Sequence, residues 1–221
     1  RDIEILTPLF NRGAYQDTPE IRVPSIRGMV RWWFRALGGS ADEEKEVFGG
    51  MNRFGHTLAS EVRASKLVFR VTQVEARIAP TPGISTLPHK QGGQAGQQAA
   101  FQPGARFHLE VFSRFDPLHS QLQRKVEDAL EVWLLLGALG LRANRGGGNV
   151  WPADNTAPNN PAELRQRLIQ HRCNWPVMIA GEEVGHTVEE LRKAATDTKN
   201  GMPLIFGEAF PNRRASKVKF K

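Results

Sequence analysis

Apolar residues recur at two different spacings along the chain, and each spacing predicts one kind of secondary structure. Residues 2–7, 66–74 and 105–114 alternate apolar with other side chains, which is typical of strands that bury one face. The runs 202–210 and 217–221 near the end of the sequence also have the composition of strands. The pattern therefore predicts strands spread over the whole chain.

Other segments repeat apolar residues every three or four positions, as one face of a helix does. The first of them follows Pro24 and Ser25, and the Ser25 side-chain oxygen is placed to cap a helix that starts at Ile26 and ends at Gly38. The remaining predicted helices are 42–48, 117–139, a segment capped by Asn160 and a segment capped by Thr187.

Once residues 76–104 and 151–200 are set aside, the elements follow one another as strand, helix, strand, strand, helix, strand. This is the order of an α+β, ferredoxin-like domain, in which an antiparallel sheet carries both helices on one face. We therefore expect residues 1–221 to form one such domain with two insertions. The first insertion, rich in Gln, Gly, Pro and Ala, is far longer than a hairpin loop, so it is either functional or disordered.

The first helix carries a stripe of three arginines opposite its apolar face, Arg27, Arg31 and Arg35. Gly28 lies beside the stripe, where a partner can approach the backbone closely, and Trp32 lies at the border of the two faces. Guanidinium groups bind phosphate oxygens through paired hydrogen bonds, so this face suits a nucleic-acid backbone. The alternative is an ordinary solvated basic face.

A glycine-rich segment, residues 140–150, follows the second long helix. Arg142 and Arg145 precede three glycines at 146–148, and glycine allows backbone amides to face a ligand. The segment is not a nucleotide-binding P-loop, because it lacks a spaced second glycine followed by Lys and Ser or Thr. It is either an anion-binding loop or a flexible surface turn.

Composition narrows the class of partner. Lysine and arginine total 30 against 23 aspartate and glutamate, and the net charge of +7 favours an anionic partner without separating nucleic acid from acidic protein or lipid. The single Cys173 excludes an intramolecular disulfide and a cysteine-based zinc cluster, so a cytoplasmic location is expected. No apolar run reaches membrane-spanning length, so no membrane partner is expected. Arg1 in place of an initiating methionine suggests an excerpt of a longer polypeptide.

Four runs within residues 3–39 form a specific pattern: ILTPLF, PEIR, PSIRG and RWWFRAL. The pattern resembles the amino-terminal signature of the RAMP superfamily of CRISPR-associated proteins, and within it the first-subunit family of type III-B effector complexes. The resemblance implies a ferredoxin-like fold that binds guide RNA or its target RNA inside an antiviral ribonucleoprotein with other effector subunits. It also implies that the 76–104 insertion is a thumb at the guide–target duplex, that the glycine-rich segment contacts guide phosphates, and that Arg213 and Arg214 lie in a closing basic turn.

Asp17, followed by Thr18 and Pro19, resembles the aspartate that cuts target RNA in backbone subunits of related complexes. A lone carboxylate there can orient or deprotonate a ribose 2′-hydroxyl, or hold a divalent cation. The alternative is an aspartate that caps a turn, which we favour because the first-subunit relatives are not the cutting members. No other metal and no further cofactor are expected.

The sequence therefore predicts a guide-RNA (crRNA)-binding structural subunit of a type III CRISPR effector complex, which holds RNA by its phosphates. The residues expected to bind RNA are Arg27, Gly28, Arg31, Arg35, Arg142, Arg145, Gly146, Gly147, Gly148, Arg213 and Arg214. Two other hypotheses stay open. One is an endoribonuclease that cuts target RNA through Asp17 or processes precursor crRNA with a histidine base, and the other is a subunit whose basic face meets an acidic protein.

Overall fold

The computed structural model describes residues 1–15, 17–51, 62–80, 82–88, 96–177 and 186–197. In chain order its elements are β1 (Asp2–Ile5), α1 (Val23–Ala36), α2 (Ala41–Phe48), β2 (Gly50–Met51), β3 (Val62–Arg63), β4 (Leu67–Glu75), β5 (Ile84–Ser85), β6 (Gln97–Gln98), β7 (Arg106–Ser113), α3 (Ser120–Leu136), a 3₁₀ turn (Ala143–Arg145), β8 (Val150–Pro152), α4 (Pro161–Gln170) and α5 (Val188–Asp197).

Four strands form one antiparallel sheet in the order β4–β7–β1–β8. Ile3 pairs with Phe107 in β7, and Ile5 pairs with Val150 in β8. Together with α1 and α3, these strands give the predicted succession of strand, helix, strand, strand, helix, strand. The α+β class with an antiparallel sheet is confirmed.

The fourth strand of the sheet lies earlier in the chain than the sequence pattern predicts. It is Val150–Pro152, directly after the glycine-rich segment, and it pairs with β1. Three residues are too few to show an alternation, so the pattern could not reveal this strand. Both 202–210 and 217–221, from which a final strand was expected, lie outside the described residues.

Both long helices cover one face of the sheet. Ile26, Val30, Trp33 and Phe34 of α1 are buried, as the helical spacing predicts, and they join one apolar core with Trp133 of α3 and the inward side chains of the strands. α1 also packs directly on α3. The helical layer therefore presents the outer side of α1 to solvent.

The opposite face of the sheet carries ion pairs between neighbouring strands. Arg106 of β7 contacts Glu4 of β1 at 2.7 Å, and Arg70 of β4 contacts Glu110 of β7 at 2.5 Å. His108 Nδ1 lies 2.7 Å from a carboxylate oxygen of Asp2. Because carboxylates offset the cations along this face, it is a poor surface for a polyanion.

Helix starts differ in part from the prediction. α1 begins at Val23, three residues before Ile26, because Pro24 fits the first turn of a helix, where no amide partner is required. Ser25 does not cap it; its hydroxyl lies 3.4 Å from the side-chain oxygen of Asn11. The predicted caps of the shorter helices are confirmed: Asn160 Oδ1 accepts from the Glu163 amide at 2.9 Å, and Thr187 Oγ1 from the Glu190 amide at 3.2 Å.

α3 is shorter than the predicted 117–139 helix, because His119 caps its start and Gly137 is extended at its end. In the first insertion, β5 and β6 pair as a two-stranded ribbon. No helix among the described residues is long and apolar enough to cross a membrane.

Candidate nucleic-acid interface

The outer side of α1 forms an exposed strip, which we define as Pro24, Gly28 and Arg35 with Arg31 along one edge and Trp32 along the other. Pro24, Gly28 and Arg35 are exposed, and the two edge residues are half-buried. A Cβ atom built on Gly28 would meet nothing within 4 Å. Packing among the described residues therefore does not require a glycine here, although glycine costs helix stability.

Along the Arg31 edge of the strip, residues of α2 hold the arginines of α1. The Arg31 Nε donates to a carboxylate oxygen of Glu44, and Arg35 Nη1 lies 3.5 Å from the same oxygen. The Glu44 side chain is only 7% exposed, so the two guanidiniums offset the cost of burying its charge. Arg27 donates instead to the backbone carbonyl of Phe48.

This arrangement leaves positive charge on the strip. Arg31 and Arg35 of the strip, together with the Glu44 carboxylate that they share, leave a net charge of +1, since α1 contains no acidic residue. Arg35 is 52% exposed, and a guanidinium has five N–H donors, so one contact with Glu44 leaves donors for a phosphate. The predicted stripe is therefore partly a clamp between α1 and α2 and partly a free cationic edge.

Three tryptophans meet at the other edge of the strip. The ring centroids of Trp32 and Trp175 lie 5.8 Å apart with nearly perpendicular planes, and those of Trp33 and Trp175 lie 5.0 Å apart. Trp33 is buried in the core, whereas Trp175, which follows α4, is 41% exposed. The helical pattern identifies Trp32 as a border residue but not Trp175 as its neighbour, because Trp175 lies 143 positions further along the chain.

Two of the three predicted glycine amides in the glycine-rich segment donate to carbonyls of this chain. The Gly147 amide donates to the Arg142 carbonyl at 3.1 Å, and the Gly148 amide donates to the Pro8 carbonyl at 2.9 Å. Gly148 has a φ of +64°, and a Cβ atom there would overlap the carbonyl oxygen of Leu139. Gly147 and Gly148 are thus explained by a tight turn of the chain, so an anion at this loop would be bound mainly by its arginines.

Arg142 and Arg145 lie in this turn, and a third arginine joins them from α5. A Cβ atom on Gly146 would lie 3.7 Å from Cγ of Arg192, so α5 packs on the turn.

Burial lowers the pKa of Arg192, and burial together with the nearby Arg142 charge lowers the pKa of Arg145. Arg192 is 4% exposed, donates to the Ser85 carbonyl at 3.1 Å and lies 5.4 Å over the Phe10 ring.

Sequence reasoning missed Arg192, because it is buried while its apolar neighbour Leu191 is exposed. A short segment connects this arginine turn to the α1 strip. Phe10 forms an isolated bridge with Leu141 of the turn, and the next residue, Asn11, contacts Ser25 at the start of α1. The two predicted RNA-contacting groups thus flank one segment of chain, whereas Arg213 and Arg214 lie outside the described residues.

Asp17 lies in an exposed loop that the Arg12–Pro19 bridge closes at its base. The Thr18 hydroxyl lies 3.5 Å from its carboxylate. In the part of the chain that the structure describes, no group of three or more His, Cys, Asp or Glu side chains is placed to hold a metal ion.

Three of the described histidines have local side-chain partners. His108 contacts Asp2, His171 Nδ1 lies 3.0 Å from a carboxylate oxygen of buried Asp128, and His119 caps α3. His56 and His89 lie outside the described residues. These contacts give His108, His119 and His171 structural roles away from the arginine turn.

Comparison with known proteins agrees with this architecture. The sequence model of the RAMP superfamily matches residues 2–151. The CRISPR system Cmr subunit Cmr1-2 of Pyrococcus furiosus is 27% identical over 175 residues, which are 67% of this chain and 91% of that protein. Cmr subunit Cmr1-1 of the same organism is 30% identical over 147 residues, 61% of this chain and 41% of that longer protein.

Among solved structures, the crystal structure of Cmr1 from Pyrococcus furiosus in its apo form has a TM-score of 0.55 and 19% sequence identity. The similarity covers 98% of this chain and 78% of that one. At this identity the comparison shows a shared fold. The resemblance found in residues 3–39 is confirmed.

Proposed function

The chain belongs to the RAMP superfamily, and from this premise we propose that it is a structural subunit of a type III CRISPR effector complex that binds the guide RNA by its phosphates. The names of its two Cmr-subunit relatives support membership of such a complex together with other effector subunits. Target RNA would be a further partner of that complex. The specific role as a crRNA-binding subunit rests on the surface of α1.

The observation that carries the proposal is the exposed Gly28 beside Arg35. A glycine inside a helix costs about 0.5–1 kcal/mol relative to alanine. No side chain or backbone of the described residues approaches its Cβ position, so their packing gives no reason for a glycine here. An RNA backbone that crosses α1 closely at this point, with its phosphate on Arg35, would account for both residues.

The RNA would contact two groups of cations. The α1 strip provides Arg35, and it also provides Arg31, which stays paired with Glu44. The turn at Ala143–Arg145 contributes Arg142 and Arg145. Contacts of guanidiniums with phosphate carry no base information, so this surface would hold any guide sequence.

The test is the affinity of the protein for a single-stranded RNA that contains a CRISPR repeat, measured by fluorescence anisotropy across a salt titration. Arg35→Gln removes one cation from the strip, and Arg70→Gln removes one similarly exposed, ion-paired cation from the open sheet face as a matched control. We expect Arg35→Gln to weaken binding roughly tenfold, as for a charge-assisted hydrogen bond, and to reduce the salt slope by about 0.7. Arg70→Gln should change neither.

Equal losses in the two variants would show binding by net charge alone, and no loss in either would remove the strip from the RNA contact. If the folded parent does not bind RNA, the proposal is overturned in favour of an acidic protein partner. Cleavage of the RNA that Asp17→Asn abolishes would identify the endoribonuclease instead.

A further inference from the structure

The tryptophan cluster at the edge of the strip has a geometry that core packing does not explain. Trp33 is buried at 1% exposure, yet Trp175, which contacts it, leaves 41% of its surface in solvent. Large exposed indoles are costly, since burying an aromatic ring is strongly favourable. An indole held beside a cationic strip is therefore a candidate contact for a partner.

Trp175 is fixed in place before any partner binds. It lies between Cys173, which is buried and whose amide donates to the Leu168 carbonyl at 2.8 Å, and Val177, which packs on the core. Its ring also meets Trp32 and Trp33 at 5.8 and 5.0 Å. A side chain held by these contacts loses little further freedom on binding, so its exposed surface is preorganised.

The indoles lie close to the phosphate-binding side of α1. Trp32 follows Gly28 by four residues and precedes Arg35 by three, so it is one helical turn or less from each. A nucleotide carries its phosphate and its base on either side of the ribose. A surface with an open glycine between a guanidinium and an indole matches both ends of one nucleotide.

From this placement we infer that Trp175, with Trp32, forms a stacking platform for one unpaired base of the RNA whose phosphates lie on the α1 strip. The inference rests on the proposed function and adds a base-contacting element to it. Stacking on an aromatic ring needs the open face of a base, which a continuous duplex hides in its own stack. The platform therefore selects single-stranded RNA without selecting its sequence.

The charge of the neighbourhood favours RNA over a protein as the occupant. The strip beside the platform keeps a net charge of +1 after Arg31 and Arg35 share Glu44, and the whole chain has +7. An apolar protein surface would gain nothing from those cations, whereas a nucleotide uses the indole and the guanidinium together.

The experiment compares Trp175→Ala and Trp175→Phe with the parent, using the same repeat-containing single strand and its duplex form. Phe115→Ala removes another highly exposed aromatic ring, on the loop between β7 and α3, and serves as the control. We expect Trp175→Ala to weaken single-strand binding by about fivefold to a hundredfold, the usual range for one stacked base. Trp175→Phe should restore most of it, and Phe115→Ala should leave it unchanged.

Two further readouts separate stacking from an indirect effect. Loss of a stacked base releases no counterions, so the salt slope of Trp175→Ala should equal that of the parent, unlike the slope of Arg35→Gln. Its affinity for the duplex should also be unchanged. A changed salt slope, or equal losses for duplex and single strand, would overturn the platform.

A third readout does not depend on the alanine variant folding. 2-Aminopurine placed along the single strand should be quenched at one position by the parent protein and less by Trp175→Phe. If the parent binds RNA and Arg35→Gln weakens it, but no 2-aminopurine position is quenched, the platform fails while the guide-binding proposal stands. If the parent binds no RNA, the proposed function fails first.

Discussion

Gly28→Ala should raise the stability of the protein and lower its affinity for RNA. Position 28 lies inside α1 and is not among the residues with positive φ, so alanine fits the backbone without strain. Its new methyl group would meet nothing within 4 Å. The gain in helix propensity is about 0.8–1.0 kcal/mol, which corresponds to about 2–4 °C in Tm for a chain of this length.

The effect on binding should have the opposite sign, because the methyl group occupies the space through which we propose the RNA backbone passes. Urea unfolding gives the change in stability, and anisotropy with single-stranded RNA gives the change in affinity. Gly38→Ala is the matched control. Its Cβ also meets open space, but its φ of +90° makes alanine unfavourable, so stability should fall while RNA affinity is unchanged.

A lower stability of Gly28→Ala would show that the fold itself requires a glycine there, contrary to the open space around it among the described residues. A higher stability with unchanged RNA affinity would refute the close passage of RNA over α1. Only a stabilised protein that binds RNA more weakly agrees with both steps of the reasoning.

Three further predictions concern residues around the strip and the turn. Glu44→Gln should lower the free energy of unfolding, measured in urea, by about 1–2 kcal/mol, as for a partly buried charged hydrogen bond. It should also steepen the salt slope of RNA binding by about 0.7, because the paired α1 arginines regain a charge. An unchanged slope would mean that these arginines do not contact phosphate. Gly148→Ala should destabilise the fold by more than about 2 kcal/mol, because the positive φ of Gly148 and the overlap of a new Cβ with the Leu139 carbonyl act together. A Tm equal to that of the parent would contradict the tight turn. Burial raises the pKa of the Cys173 thiol, so its alkylation at pH 8 should be far slower in the native protein than in urea. Mass spectrometry measures the rate of alkylation. Equal rates would show that the segment carrying Trp175 is not held as described.

Local signals in the sequence were sufficient for most of the helical layer. The spacing of Ile26, Val30, Trp33 and Phe34 identified the buried face of α1, because a helix repeats every 3.6 residues whatever its surroundings. Asn160 and Thr187 identified the starts of α4 and α5, because a capping side chain bonds to amides only two or three residues ahead. The start of α1 was placed wrongly, since Pro24 and Ser25 carry two local signals and only one can act.

Tertiary structure decided what those elements do at the candidate site. It pairs the α1 arginines Arg31 and Arg35 with Glu44 of α2, and it pairs the amides of Gly147 and Gly148, two of the three predicted anion-binding amides, with carbonyls of Arg142 and Pro8. It also placed Trp175 beside Trp32 and buried Arg192 in preference to Leu191. Periodicity and capping are signals that act within a few residues of the chain. The pairing of charges, the hydrogen-bond partners of loop amides and the contacts of aromatic rings depend instead on which distant segments meet in the fold.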